Sequence, residues 1–144
     1  MSLRIFYDDI DYRLKGWRKI VKVFSEVIRE NEFVPGDLSF ILTTDVNIRK
    51  INYEFLKHDY FTDVITFGYN EGKILNGEIY ISVDTVRSNS LNYNVSLKNE
   101  LLRVISHGII HLMGYDDSTD EERKEMRRIE NIWLKRLGEE TGDV

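Results

Sequence analysis

The sequence predicts an α+β fold in a single domain over residues 1–144. About four strands form one mixed sheet, covered by four or five helices. Three observations predict it. Short β-rich segments alternate with longer stretches whose apolar residues recur at helical spacing. The length, 144 residues, suits one domain and lets a chain bury about two-thirds of its unfolded surface. The composition, 42% hydrophobic and 12% aromatic with one proline and nine glycines, excludes disordered, collagen-like and low-complexity classes.

The elements follow in order. Residues 3–7 read as a short strand. Over residues 13–30, Leu14, Trp17, Ile20, Val21, Phe24, Val27 and Ile28 form one apolar stripe opposite Lys15, Arg18, Lys19, Lys22 and Arg29, which predicts an amphipathic helix. Pro35, Gly36 and Asp37 predict a turn, and residues 38–43 a strand. Thr44 or Asp45 can cap a second helix with Val46, Ile48, Ile51, Phe55 and Leu56 on its apolar side. Residues 64–67 and 78–83 are β-rich, and the glycines and asparagines between them predict an antiparallel hairpin with a long tip. Asp84 can cap a short helix through Leu91. Ser96 opens a strongly apolar helix that belongs in the core and ends at Gly114. A last helix opens with acidic residues near Ser118, packs through Met126, Ile129, Trp133 and Leu137, and is expected to stop at Gly138.

Zero cysteines removes disulfides, thiolate nucleophiles and cysteine-ligated metal sites. No apolar run is long enough to span a membrane, and MSLRIFYDDIDYR lacks the apolar core of a secretion signal, so a cytoplasmic protein is expected. The net charge is −5, unlike a generic duplex-DNA binder. The acidic excess lies beyond residue 60, so a polyanionic ligand would need a local basic patch or a metal.

Of three histidines, His107 and His111 stand four apart in the predicted core helix, so they share a helix face. Gly114 lets the chain reverse, and Asp117 lies far enough past the turn to return a carboxylate. His107, His111 and Asp117 are therefore candidate metal ligands on the core helix and the turn after it. Three protein ligands with one open position is the arrangement of catalytic zinc. Zinc proteases place a glutamate directly after the first histidine; here that residue is Gly108, which excludes that route to peptide hydrolysis.

The segment SHGIIHLMGYDD over residues 106–117 resembles the HGxLHLxGYDH signature of the YbeY family, bacterial rRNA maturation factors described as metal-dependent single-strand endoribonucleases. TDVITF at 62–67, with Asn52 and Asp59 upstream, resembles the family's TDVLSF block, and NGEIYIS at 76–82 its LGDI-type strand. The resemblance covers roughly residues 35–138. Two positions depart from it. Asp117 stands where the family usually has a third histidine, which keeps a ligand but adds negative charge and makes bound water less acidic. Leu56 stands where the family has an arginine, which removes a phosphate-holding charge; Lys57 or His58 is the available substitute.

The resemblance implies cleavage of single-stranded RNA in rRNA maturation and ribosome quality control. The implied cofactor is one divalent ion, Zn2+ first, with iron(II) or manganese also suiting two histidines and a carboxylate. Asp63, His58 and Lys57 are the candidate catalytic residues, Asp63 as a base or a group that orients the ligands. Asp116 is a candidate to orient a ligand histidine. Phe55, Lys57, His58, Tyr60 and Phe61 form an aromatic and cationic stretch suited to a single strand, and Tyr115 is a candidate base-stacking or turn-plugging residue. Expected partners are single-stranded rRNA and the ribosome or a ribosomal protein, with no DNA and no membrane. Two other readings compete: a non-catalytic, metal-stabilised ribosome-associated RNA-binding factor, and a redox enzyme using a two-histidine, one-carboxylate iron.

Overall fold

The computed structural model describes residues 2–57, 62–142 and Val144. Strand β1 (Ser2–Tyr7) precedes helix α1 (Trp17–Glu30), which leads into strand β2 (Val34–Thr43). The predicted start of α1 at residue 13 is corrected: Gly16 adopts a left-handed φ of 81°, so the helix begins at Trp17. Leu14 fits the stripe because it is buried, but it lies in the lead-in, where its backbone N–H donates to Tyr7 Oη at 2.9 Å.

The predicted turn at Pro35, Gly36 and Asp37 is instead part of β2, with a register irregularity between Pro35 and Leu38. Strand β1 begins pairing only at Asp37, so Pro35 removes no hydrogen bond from that ladder. A Cβ on Gly36 would meet the Leu75 carbonyl oxygen at 2.5 Å, so glycine is required by the approach of the next strand.

Helix α2 (Asp45–Leu56) is capped by Thr44, whose side chain accepts from the Asn47 N–H at 3.2 Å. Its expected apolar side is largely wrong. Ile48 and Asn52 are buried, while Val46, Phe55 and Leu56 are exposed. The helix crosses only one end of the sheet and the helix that follows it, so a narrow seam suffices. Strands β3 (Val64–Gly68) and β4 (Ile74–Ser82) form the expected hairpin. Its tip is shorter than expected because Tyr69 and Glu71 pair back onto Asn76 and Ile74.

Helix α3 (Val83–Asn92) is capped by Ser82, not Asp84. The Asp84 carboxylate instead accepts from the Asp45 N–H at 3.0 Å, tying the starts of α2 and α3 together. Helix α4 (Leu97–Leu112) is capped by Ser96 as expected. Helix α5 (Asp120–Thr141) opens on a capping box between Thr119 and Glu122. It runs through Gly138, because the left-handed terminator is Gly142, at φ 83°.

The sheet order is β1-β2-β4-β3, parallel except for the β3–β4 hairpin. Leu38, Phe40, Ile79 and Ile81 face helices α1 and α4 in one core, and α5 packs against those two helices. Burying such side chains contributes about 1.5–3 kcal/mol each before entropy is charged. Helix α4 lies against β3, β4, α3 and α5. A Cβ on Gly108 would stand 3.0 Å from Ile79, so this glycine sets the close approach of α4 to the sheet. No described helix is long and apolar enough to cross a membrane.

Candidate metal centre

Most of α4 is committed to the core, but His107 and His111 emerge half-buried on its one open face. Their rings lie 4.9 Å apart, edge to face at 87°. The helix ends as the sequence predicts. Gly114, at φ 103°, donates its N–H to the His111 carbonyl at 2.9 Å, and Tyr115 donates to Ile110 at 3.4 Å, the paired closure of a Schellman motif. Tyr115 packs on the core and so plugs the turn. Beyond it, Arg123 Nη1 donates to the carbonyls of Asp117 and Ser118 at 3.2 and 3.1 Å. The capping box fixes the next residue pair. These contacts hold the loop in the position that returns Asp117 to the histidines.

Asp117 aims one carboxylate oxygen at each ring: Oδ2 lies 3.2 Å from His107 Nε2, and Oδ1 lies 3.5 Å from His111 Nε2. One donor from each of the three residues falls within 4.8 Å of the others, a group that could hold a metal ion. Donors bonded tetrahedrally at about 2.0–2.1 Å stand about 3.3–3.4 Å apart, close to the two histidine–carboxylate distances.

The residue that orients His107 is one the sequence reading missed. Glu130 on α5 accepts from Nδ1 of His107 at 2.8 Å, leaving Nε2 to face the centre. Asp116, expected in that role, is exposed to solvent. Glu130 is buried and is itself held by Arg103 Nη1 at 3.1 Å, while Arg103 Nη2 reaches Asn131 at 2.9 Å. The available signal was a glutamate falling on the apolar stripe of Met126, Ile129, Trp133 and Leu137, where a charge without a partner is costly. Burial opposes the proton on His107, but the Glu130 hydrogen bond and the Glu130, Asp117 and Asp63 charges prevail, so its pKa is raised.

Two clefts flank the histidines. One, of about 540 Å³, lies toward α2 and β3 and is lined in part by Asn52, Leu56, Thr62 and Thr66. The other, of about 310 Å³, lies toward α3 and α5. Asp63, His107 and Asp117 line both. Asp63 is placed by its carbonyl, which accepts from the Ser82 N–H at 2.9 Å. Burial pushes its carboxyl group up, opposed by His107. The structure thus brings Asp63 to the three metal-ligand candidates. Lys57 caps α2 in a left-handed conformation, exposed and outside the linings of both clefts. His58, Asp59, Tyr60 and Phe61 lie outside the described residues. Phe55 turns its ring edge-on to Phe67 at 5.8 Å.

Comparison with known proteins agrees with this geometry. The profile of the family described as Endoribonuclease YbeY matches residues 7–138. Proteins named Endoribonuclease YbeY from Chlorobaculum tepidum and Parabacteroides distasonis are 48% and 45% identical. The first alignment covers 82% of this chain and 86% of the relative, the second 97% and 99%. The solution structure of a Thermotoga maritima protein superposes with a TM-score of 0.69 at 29% identity, covering 96% of this chain and 91% of that one. With most of its length matched at these identities, the chain belongs to the endoribonuclease YbeY family.

Proposed function

We propose that this protein is a metal-dependent endoribonuclease that cuts single-stranded RNA in the cytoplasm, during rRNA processing and ribosome quality control. The observation that carries the reading is the convergence of His107, His111 and Asp117 between two open clefts, with Asp63 at their junction. His107, His111 and Asp117 hold one divalent ion, Zn2+ first. Such an ion, when bound, supplies Lewis-acid polarisation of a phosphate oxygen and acidifies water.

Glu130 keeps the proton of His107 on Nδ1 and fixes the ring. Asp63 takes a proton from the attacking hydroxyl or water; its raised proton affinity suits that task. Lys57, at the end of α2, and His58, next to it in the sequence, supply cationic donors to the strand. The substrate is a single strand of rRNA, reached through the ribosome or a ribosomal protein, and neither DNA nor a membrane is a partner.

Incubating zinc-loaded protein with single-stranded RNA, duplex RNA and single-stranded DNA tests this. Metal-dependent cleavage of the single-stranded RNA alone, abolished in His111→Ala, is the expected result. Full binding with intact RNA would support the non-catalytic factor instead, the reading that Leu56 in the cleft wall favours. In that case Leu56→Arg should restore cutting.

A further inference from the structure

The cleft toward α3 and α5 shares Asp63, His107 and Asp117 with the metal centre at its inner end, and three arginines gather on its α4–α5 side in a chain of net charge −5. Arg103, Arg123 and Arg127 line it, with Asn89 and Tyr93 on the α3 side. Its volume, about 310 Å³, is at the lower end of ligand clefts, which start near 300 Å³.

The three guanidinium groups differ in what they have left to offer. Arg103 is spent on Glu130 and Asn131, with 18% of its side chain exposed. Arg123 holds the carbonyls of Asp117 and Ser118 and the Asp120 carboxylate. Arg127 reaches Glu130 only at 3.9 Å, beyond hydrogen-bond range, with 53% of its side chain exposed. Of the four carboxylates in this wall, Asp63 and Asp117 belong to the metal centre, and Glu100 and Glu130 are each 4% exposed. Glu100 and Glu130 are more buried than the arginines, so away from the metal centre, on the α5 side, the surface offered to a ligand is the guanidinium edge. Planar guanidinium groups match phosphate oxygens two at a time.

We infer that this cleft binds the phosphodiester next along the RNA strand from the one at the metal centre, with Arg127 as its main ligand and Arg123 supporting it. This rests on the endoribonuclease reading and adds to it a direction: the strand crosses the centre from the α2–β3 cleft to the α3–α5 cleft. Tyr93, 58% exposed, stands across the cleft as the stacking surface for the base that follows that phosphate.

The test is fluorescence anisotropy of a short labelled single-stranded oligoribonucleotide, titrated in EDTA so that the strand stays intact. Arg127→Glu should weaken binding about tenfold or more and lower the slope of log K against log salt by about 0.7. Arg127→Lys should retain most of both. Lys22→Glu, the same charge change on α1, should leave both unaltered. With di- and trinucleotides, adding a terminal phosphate should tighten binding to the wild type and not to Arg127→Ala. Wild-type-like binding by Arg127→Glu, or an equal loss in Lys22→Glu, overturns the subsite while leaving the endoribonuclease reading standing. Failure of the wild type to bind the oligonucleotide both in EDTA and with zinc restored overturns both.

Discussion

The Glu130 carboxylate lies 2.8 Å from Nδ1 of His107, across the interface between α5 and α4. It joins the candidate metal centre to the core, because Glu130 is buried and anchored in turn by Arg103. A carboxylate in this position fixes the ring orientation and raises the basicity of the coordinating nitrogen.

Removing the charge of that hydrogen-bond acceptor should therefore loosen the metal without removing a ligand. Glu130→Gln is expected to lower zinc affinity about 10–100-fold, measured by competition with a chromophoric chelator. An affinity equal to the wild type would place Glu130 in a purely packing role.

Acidity should act at the same point. The pKa of His107 is raised, so its protonated form with Glu130 stabilises the metal-stripped protein. That contribution is fully present below the unfolded value of about 6.5 and is lost as pH rises through the folded value. Metal binding needs the opposite protonation state. The rise in Tm on adding zinc should thus be small at pH 5.5 and grow steadily to pH 8. A rise independent of pH would count against His107 as a ligand.

The carboxylate among the three donors invites exchange. Asp117→His should raise zinc affinity or cleavage rate, and Asp117→Ala should lose the metal, both read by elemental analysis and RNA digestion. Unaltered metal content in both variants would put Asp117 outside the centre.

Gly36 tests the sheet without touching the site. A methyl group there collides with the Leu75 backbone, so Gly36→Ala should cost about 1–3 kcal/mol in urea unfolding, the usual range for overpacking. A stability equal to the wild type would mean that β2 and β4 separate there without cost.

Much of this molecule was legible in its sequence, for reasons that are local. Histidines four apart share a helix face whatever surrounds them. Gly114 tolerates the left-handed turn that ends α4, and the apolar run of that helix required a core position. Strand alternation and the glycine-rich tip gave the hairpin. These features depend on neighbours within one turn or one strand pair, and there the sequence reading held.

Several misreadings share one cause: distant neighbours override local preference. Pro35 and Gly36 look like a turn, yet β4 arrives beside them and draws them into a strand. Phe55 and Leu56 look like core, yet only a narrow seam of α2 meets the sheet. Asp84 looks like a cap, but Ser82 fills that role while Asp84 serves the neighbouring helix.

The donor types, their spacing and the turn that follows them were thus determined by the sequence alone. Only the tertiary structure selected Glu130 over Asp116 as the partner of His107, and brought Asp63 and the arginines of α5 to the same centre. Hydrogen bonds and charges act over a few ångströms of space, and that proximity is created by packing α5 and β3 against α4, not by nearness along the chain.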